Sequence, residues 1–218
     1  GSPFPNPPHI PSTYGDYLQQ TGPVKYPTKY LRVVGGTTWH WLGTTLRHIP
    51  SDFELRSRYG VAVDWPLSYD DLEPFYERFE KIAGVSGKAG VLNGKKIDGA
   101  NIFEGNRKSE FPLPPLATTR LTDLFTEGTQ KLGLHPFMVP AGQTSKAYTN
   151  PLGVRMGPCT YCGYCLYYGC GNFSKSSPNA CVIPALMQRS NFSVLTESAV
   201  LRANLAADGK TATGVTYL

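Results

Sequence analysis

Proline and glycine punctuate this chain so often, 19 and 23 times in 218 residues, that few stretches can run as long regular elements. A loop-rich α+β fold follows, with order carried by loops as much as by helices and strands. Residues 1 to 30 hold Pro3, Pro5, Pro7, Pro8, Pro11, Pro23 and Pro27 and read as an extended arm crossing a surface. "KYLRVV" is a short β-compatible run. The clearest helix starts at Ser68, an N-cap with Asp71 three residues on, and stops at Gly84. Leu72, Phe75, Tyr76, Phe79, Ile82 and Ala83 recur at helical spacing and read as core packing, with Pro74 in about the first turn. Its Asp70, Asp71, Glu73 and Glu77 suit the positive end of the helix dipole and are not read as catalytic. A second helix is expected from Thr119 to Lys131, with Leu121, Leu124, Phe125 and Leu132 on one face and Gly133 as its stop. A shorter one is expected near Pro184 to Arg189. Residues 85 to 117, with Lys-Lys and Asn-Gly turns, read as a variable surface excursion. The tail alternates in the strand manner, and Asp208-Gly209 supplies a hairpin turn.

The chemistry concentrates in two loops. In Val34-Gly-Gly-Thr-Thr-Trp-His-Trp-Leu-Gly43, Gly35 and Gly36 allow a backbone to approach a bulky ligand closely. Thr37 and Thr38 offer hydroxyl and amide donors, and Trp39 and Trp41 can wall a planar ring on either side of His40. The second loop carries Cys159, Cys162, Cys165 and Cys170 at Cys-x2-Cys-x2-Cys-x4-Cys spacing, with Cys181 left over. Three thiols at x2 spacing can converge on an iron–sulfur cluster, though the ferredoxin run closes with x3 and a proline. Four thiolates can also hold zinc, and disulfides or free structural thiols are equally open readings.

Charge excludes more than it suggests. The 21 basic and 16 acidic residues, net +5, are scattered singly and in pairs, so no basic stripe points to nucleic acid. Hydrophobic content of 40% is enough for a core. No apolar run approaches the roughly 20 residues that span a bilayer, and no charged-then-apolar leader opens the chain.

"VGGTTWHW" together with "DWPLSYDDLEPFYERFEKIAGVSG" resembles the glucose-methanol-choline (GMC) oxidoreductases, in particular the bacterial gluconate, fructose and sorbitol dehydrogenase flavoprotein subunits. The resemblance implies an FAD enzyme that oxidises a sugar or polyol CH–OH group by hydride transfer to flavin N5. It places Val34, Gly35, Gly36, Thr37, Thr38, His40 and Trp41 at the flavin, with His40 as a covalent attachment point through the 8α-methyl group. It puts a backbone group at Val200 against the adenine, a contact that also leaves the Val200 side chain free to pack as strand core. It further implies an iron–sulfur cluster in the region of Cys159 to Cys170, although the family's cysteine spacing differs. Implied partners are a small subunit and a cytochrome c subunit, and the implied location is periplasmic or on the periplasmic side of a membrane.

The family's G-x-G-x-x-G fingerprint is not found here, and its distal catalytic histidine would fall beyond Leu218. The chain therefore reads as the central portion of a family member and is expected to be inactive alone. On this reading residues 1–45 are the arm and flavin loop, 46–190 the substrate-domain elements and thiol loop, and 191–218 strands of the FAD-binding domain. His9, His48 and His135 lie outside the family's base motif, so no catalytic base is assigned. A rival reading is a non-enzymatic iron–sulfur or zinc electron-transfer module built on Cys159 to Cys170.

Overall fold

Local capping sets the first long helix where its sequence signals place it. A computed structural model describes residues 21–24, 31–166 and 168–218; the expected N-terminal arm lies almost wholly outside them. After a short α1 (Leu55–Tyr59), helix α2 spans Tyr69–Ala83. The Ser68 hydroxyl accepts from the Asp71 amide, Asp71 accepts from the Ser68 amide, and Gly84 ends the helix at φ +62°. This reciprocal box satisfies two otherwise unpaired amides. Pro74 is the sixth helical residue rather than part of the first turn. The carbonyl it leaves without an amide partner belongs to Asp70, an exposed residue whose backbone water can serve.

The buried face of α2 is rotated from the one expected: of the expected stripe Ala83 is buried and Leu72, Tyr76 and Ile82 are half-buried. Phe75 and Phe79 are 64% and 50% exposed, whereas Tyr69, Glu73, Glu80 and Ala83 are buried. The reason is a charge network that outcompetes the aromatic stripe for the interior. Glu80 accepts from Arg47 Nε and Nη2, both at 2.8 Å, and from Arg107 Nη1 and Nη2 at 3.1 and 2.5 Å. Tyr69 and Glu73 bind the remaining Arg47 nitrogen at 3.0 and 3.3 Å. Burial alone would depress the Arg47 guanidinium, but Glu80, aided by Tyr69, holds it above its usual value. Arg107 also lies 3.8 Å over the Phe111 ring.

Residues 85 to 117 are therefore no surface excursion. They supply Arg107, Val85, Ala89, Ala100, Phe111 and Leu113 to the interior. Ala83, Val85 and Phe111 form a buried apolar cluster. Within this stretch, β1 (Val91–Leu92) and β2 (Lys95–Lys96) pair across Asn93-Gly94, both at positive φ. Two left-handed residues in sequence give the turn whose twist suits a hairpin.

Helix α3 (Arg120–Lys131) has Thr119 as its cap, as expected, and Leu121, Leu124 and Phe125 are exposed. The β-compatible run before the glycine pair forms no strand among its described residues. Instead, single bridges stitch distant segments together: Thr44 to Ala141, Ala141 to Ser86, Ser86 to Leu113, and Gln143 to Lys175. A small hairpin, β3 (Tyr148–Thr149) with β4 (Arg155–Met156), follows. The helix expected near Pro184–Arg189 is present in shortened form as α5 (Ile183–Leu186), preceded by another short helix, α4 (Pro178–Cys181).

The chain divides into two compact units at Ala185/Leu186. The second contains an antiparallel hairpin, β5 (Val200–Leu205) with β6 (Ala212–Tyr217). Its turn is held by Asp208, which accepts from the Lys210 and Thr211 amides at 2.8 and 2.9 Å and from the Thr211 hydroxyl at 2.6 Å. Among the described residues, no helix is long and apolar enough to cross a membrane.

Candidate cofactor loop and thiol loop

Residues 33 to 43 take their shape from internal hydrogen bonds. Gly35 and Gly36 both adopt positive φ, +91° and +58°, a conformation that costs glycine little. The Gly36 amide then closes on Val33 O at 2.8 Å, and a short 3-10 turn runs Gly36–Trp39. The Thr38 hydroxyl donates to Gly35 O at 2.5 Å, and the Trp39 indole N–H donates to Val34 O at 2.7 Å. These two donors are thus spent within the loop.

Both tryptophans also rest benzo-ring edge atoms on the protein. Trp39 lies against Gly169 and Trp41 against Gly142, each at a spot a Cβ would crowd. His40 between them is buried. Two buried polar atoms beside the loop are unpaired, the Trp41 indole N–H and Asn179 Oδ1, and Asn179 sits against Gly35. A Cβ on Gly36, in contrast, would meet nothing within 4 Å. Open glycine backbone and an unpaired buried donor fit a polar, ring-bearing cofactor.

The loop is anchored from beneath by a feature that the sequence does not announce. Lys175 is 2% exposed, and its Nζ donates to four backbone carbonyls: Trp39 O and Trp41 O at 3.0 Å, Cys165 O and Tyr168 O at 2.7 Å. Burial lowers its pKa, opposed by the nearby thiols of Cys165, Cys170 and Cys162. Its bridge partner Gln143 donates from Nε2 to Leu42 O at 2.5 Å and to Cys165 Sγ at 3.6 Å. A lysine in "NFSKSS" carries no sequence signal of such a role, because its acceptors are main-chain atoms.

All five cysteines are free thiols. Cys165 is raised by burial. Cys170 resists the same burial and is lowered, through hydrogen bonds from Ser174 and from the Lys175, Ser174 and Asn172 amides. Cys181 is pushed up to about 11 by burial. Among the described residues, no three cysteine, histidine or acidic side chains gather so as to hold a metal ion. The donor set of Cys159, Cys162, Cys165 and Cys170 thus shares one loop without forming a metal cage.

The other candidate residues have neighbours of their own or fall outside the described residues. His48 is exposed and faces Asp52 at 3.3 Å and the Trp65 ring; His135 packs edge-on to Phe103; His9 falls outside the described residues. Val200 opens β5 opposite Tyr217 and is 62% exposed, so its side chain is not strand core. A cleft of about 730 Å³ runs beside Trp65 and Tyr69. Of its carboxylates, Asp64 holds the Arg56 and Ser57 amides, Asp71 holds the Ser68 amide, and Glu54 pairs with the Arg58 guanidinium.

Comparison with known proteins returns flavoprotein dehydrogenases and related oxidases. The chain is 42% identical to the gluconate 2-dehydrogenase flavoprotein of Pantoea cypripedii over 84% of its length and 32% of that protein's. It is 35% identical to the fructose dehydrogenase large subunit of Gluconobacter japonicus, over 67% of the chain and 27% of the relative. It is 29% identical to the 6'''-hydroxyparomomycin C oxidase of Streptomyces lividus, over 82% and 30%. The chain spans about a third of the length of the curated relatives it matches. No family model matches it.

Proposed function

We propose that this chain is the central part of a GMC-type, FAD-dependent sugar or polyol dehydrogenase. The observation that carries this reading is the loop itself: a buried His40 in a turn opened by two left-handed glycines, beside an unpaired buried Trp41 indole N–H. Similarity to a gluconate dehydrogenase flavoprotein and a fructose dehydrogenase subunit supports the substrate class. Val34, Gly35, Gly36, Thr37, Thr38 and Trp41 hold the flavin, His40 is its covalent anchor, and the Val200 backbone meets its adenine. When bound, the flavin supplies the two-electron acceptor for oxidation of a CH–OH group.

This chain's own residues bind and orient. Lys175 and Gln143 fix the backbone on both sides of His40, and burial of the His40 side chain keeps water from it. No group in the chain is assigned to take the hydroxyl proton, so turnover belongs to the longer polypeptide and the isolated chain has none. A small subunit and a cytochrome c are the proposed partners, on the periplasmic side of a membrane.

The test is flavin retention in the full-length protein. Parent protein keeps FAD on the polypeptide after acid precipitation, and His40→Ala releases it. Equal release from both removes the covalent assignment, and purified protein without flavin absorbance removes the whole reading.

A further inference from the structure

The two chemistry-bearing loops share one buried cation. Lys175 has three N–H bonds for four carbonyl oxygens, so at least one is shared between two acceptors. Two of those oxygens flank His40 in sequence, those of Trp39 and Trp41; the other two belong to Cys165 and Tyr168. Gln143 repeats the pattern, reaching Leu42 O on one side and the Cys165 sulfur on the other. Trp39 closes the contact by lying against Gly169. An ammonium buried this deeply stays only where acceptors replace its hydration, so moving either loop strips acceptors from a charge that cannot reach water.

We propose that Lys175 is the positioning residue that makes the His40 loop and the thiol loop one mechanical unit, so that displacing the Cys165 segment reshapes the backbone on both sides of His40. Its consequence for flavin rests on the function proposed above; the coupling does not. Adding a group to the Cys165 sulfur opens the Gln143 contact first, then pulls the Cys165 and Tyr168 carbonyls from the ammonium. The Trp39 and Trp41 carbonyls must then rearrange around what remains.

The experiment uses the full-length protein in a Trp65→Phe background and reads two quantities, neither of them activity. The first is the alkylation rate of Cys165 by iodoacetamide, resolved by peptide mass. In that reaction a sulfur–carbon bond forms, iodide leaves and the thiol proton goes to solvent. The second is the part of the tryptophan emission that is lost when Trp39 and Trp41 are both replaced by Phe, which isolates these two indoles from any others in the longer polypeptide. In Lys175→Met the Cys165 rate rises about tenfold or more, as losing charged hydrogen bonds implies, and the emission shifts with it. In Lys175→Ala, propylammonium restores both signals, whereas tetramethylammonium, with equal charge and no N–H, restores neither. A faster Cys165 with unmoved emission, or rescue by both cations alike, overturns the coupling. Should neither variant fold, unsubstituted protein decides: alkylating Cys165 shifts the emission if the loops are coupled and leaves it unchanged if they are not. Flavin-free protein responds in the same way, which separates this outcome from that of the flavin reading.

Discussion

Replacing Glu80 by Gln tests the claim that charge, not the aromatic stripe, holds α2 against the interior. The side chains of Glu80, Arg47 and Arg107 are 4%, 3% and 0% exposed. Glu80 accepts four hydrogen bonds from the two guanidiniums. The amide keeps one acceptor oxygen and turns two N–H groups toward cations that donate only. Arg47 then retains Glu73 at 3.3 Å and Tyr69 at 3.0 Å, while Arg107 retains Ser109 O at 3.3 Å, the Phe111 ring and the electrostatic influence of Glu104. Removing one partner from a buried ion pair costs about 3–5 kcal/mol, a large part of the roughly 5–15 kcal/mol that stabilises a domain. With a urea slope of about 2 kcal/mol/M, the midpoint falls by about 2 M. Glu77→Gln, which removes the half-buried partner of exposed Lys81, costs about 1 kcal/mol or less. The assay is equilibrium urea unfolding of both variants beside the parent. A Glu80→Gln loss below about 1 kcal/mol, or no larger than that of Glu77→Gln, refutes the argument.

Three further outcomes follow from the same geometry. Asp208 is held down to about 2 by its hydrogen bonds from Thr211 and Lys210, below an unfolded value near ~3.9. Its contribution is therefore complete above that value and lost as pH falls through about 2. Thr211 amide exchange should be faster in Asp208→Ala than in the parent at pH 6, with the gap closing near pH 2; an unchanging gap contradicts the assignment. Buried Cys181, pushed up to about 11, should be alkylated well after exposed Cys162 at pH 8 and should quicken as pH rises, as peptide mass mapping can follow. If Cys159, Cys162, Cys165 and Cys170 ligate an iron–sulfur cluster, iron and acid-labile sulfide co-purify and fall together in Cys165→Ser, whereas metal-free protein removes them as ligands.

What was legible in the sequence was local. Ser68, Asp71 and Gly84 mark the ends of α2 because capping is decided within four residues, and the same holds for Thr119 and for the Asn93-Gly94 and Asp208-Gly209 turns. The face of α2 was not legible, because Arg47 and Arg107 arrive from 33 and 27 residues away and nothing in the period of α2 announces them. Residues 85 to 117 looked peripheral for a related reason: their glycines and prolines suggest loops, but a loop threaded through the interior has the same composition. In the candidate site, the unusual backbone conformation of the glycine pair could be anticipated. Lys175 could not, since a side chain whose partners are main-chain carbonyls leaves no pattern in the residues it binds.

The Lys175 anchor also fixes when the His40 loop can exist. Its bond to Trp39 O joins points 136 residues apart, a closure that costs on the order of 4 kcal/mol in chain entropy before any contact repays it. Helix α2 and the short hairpins can form from neighbours alone, but this loop must wait for the remote half of the unit to arrive. During synthesis, residue 40 leaves the ribosome long before residue 175, so the loop stays unanchored until Lys175 emerges. Any ligand that recognises the finished loop is thus a ligand of the nearly folded protein, not a template on which folding begins.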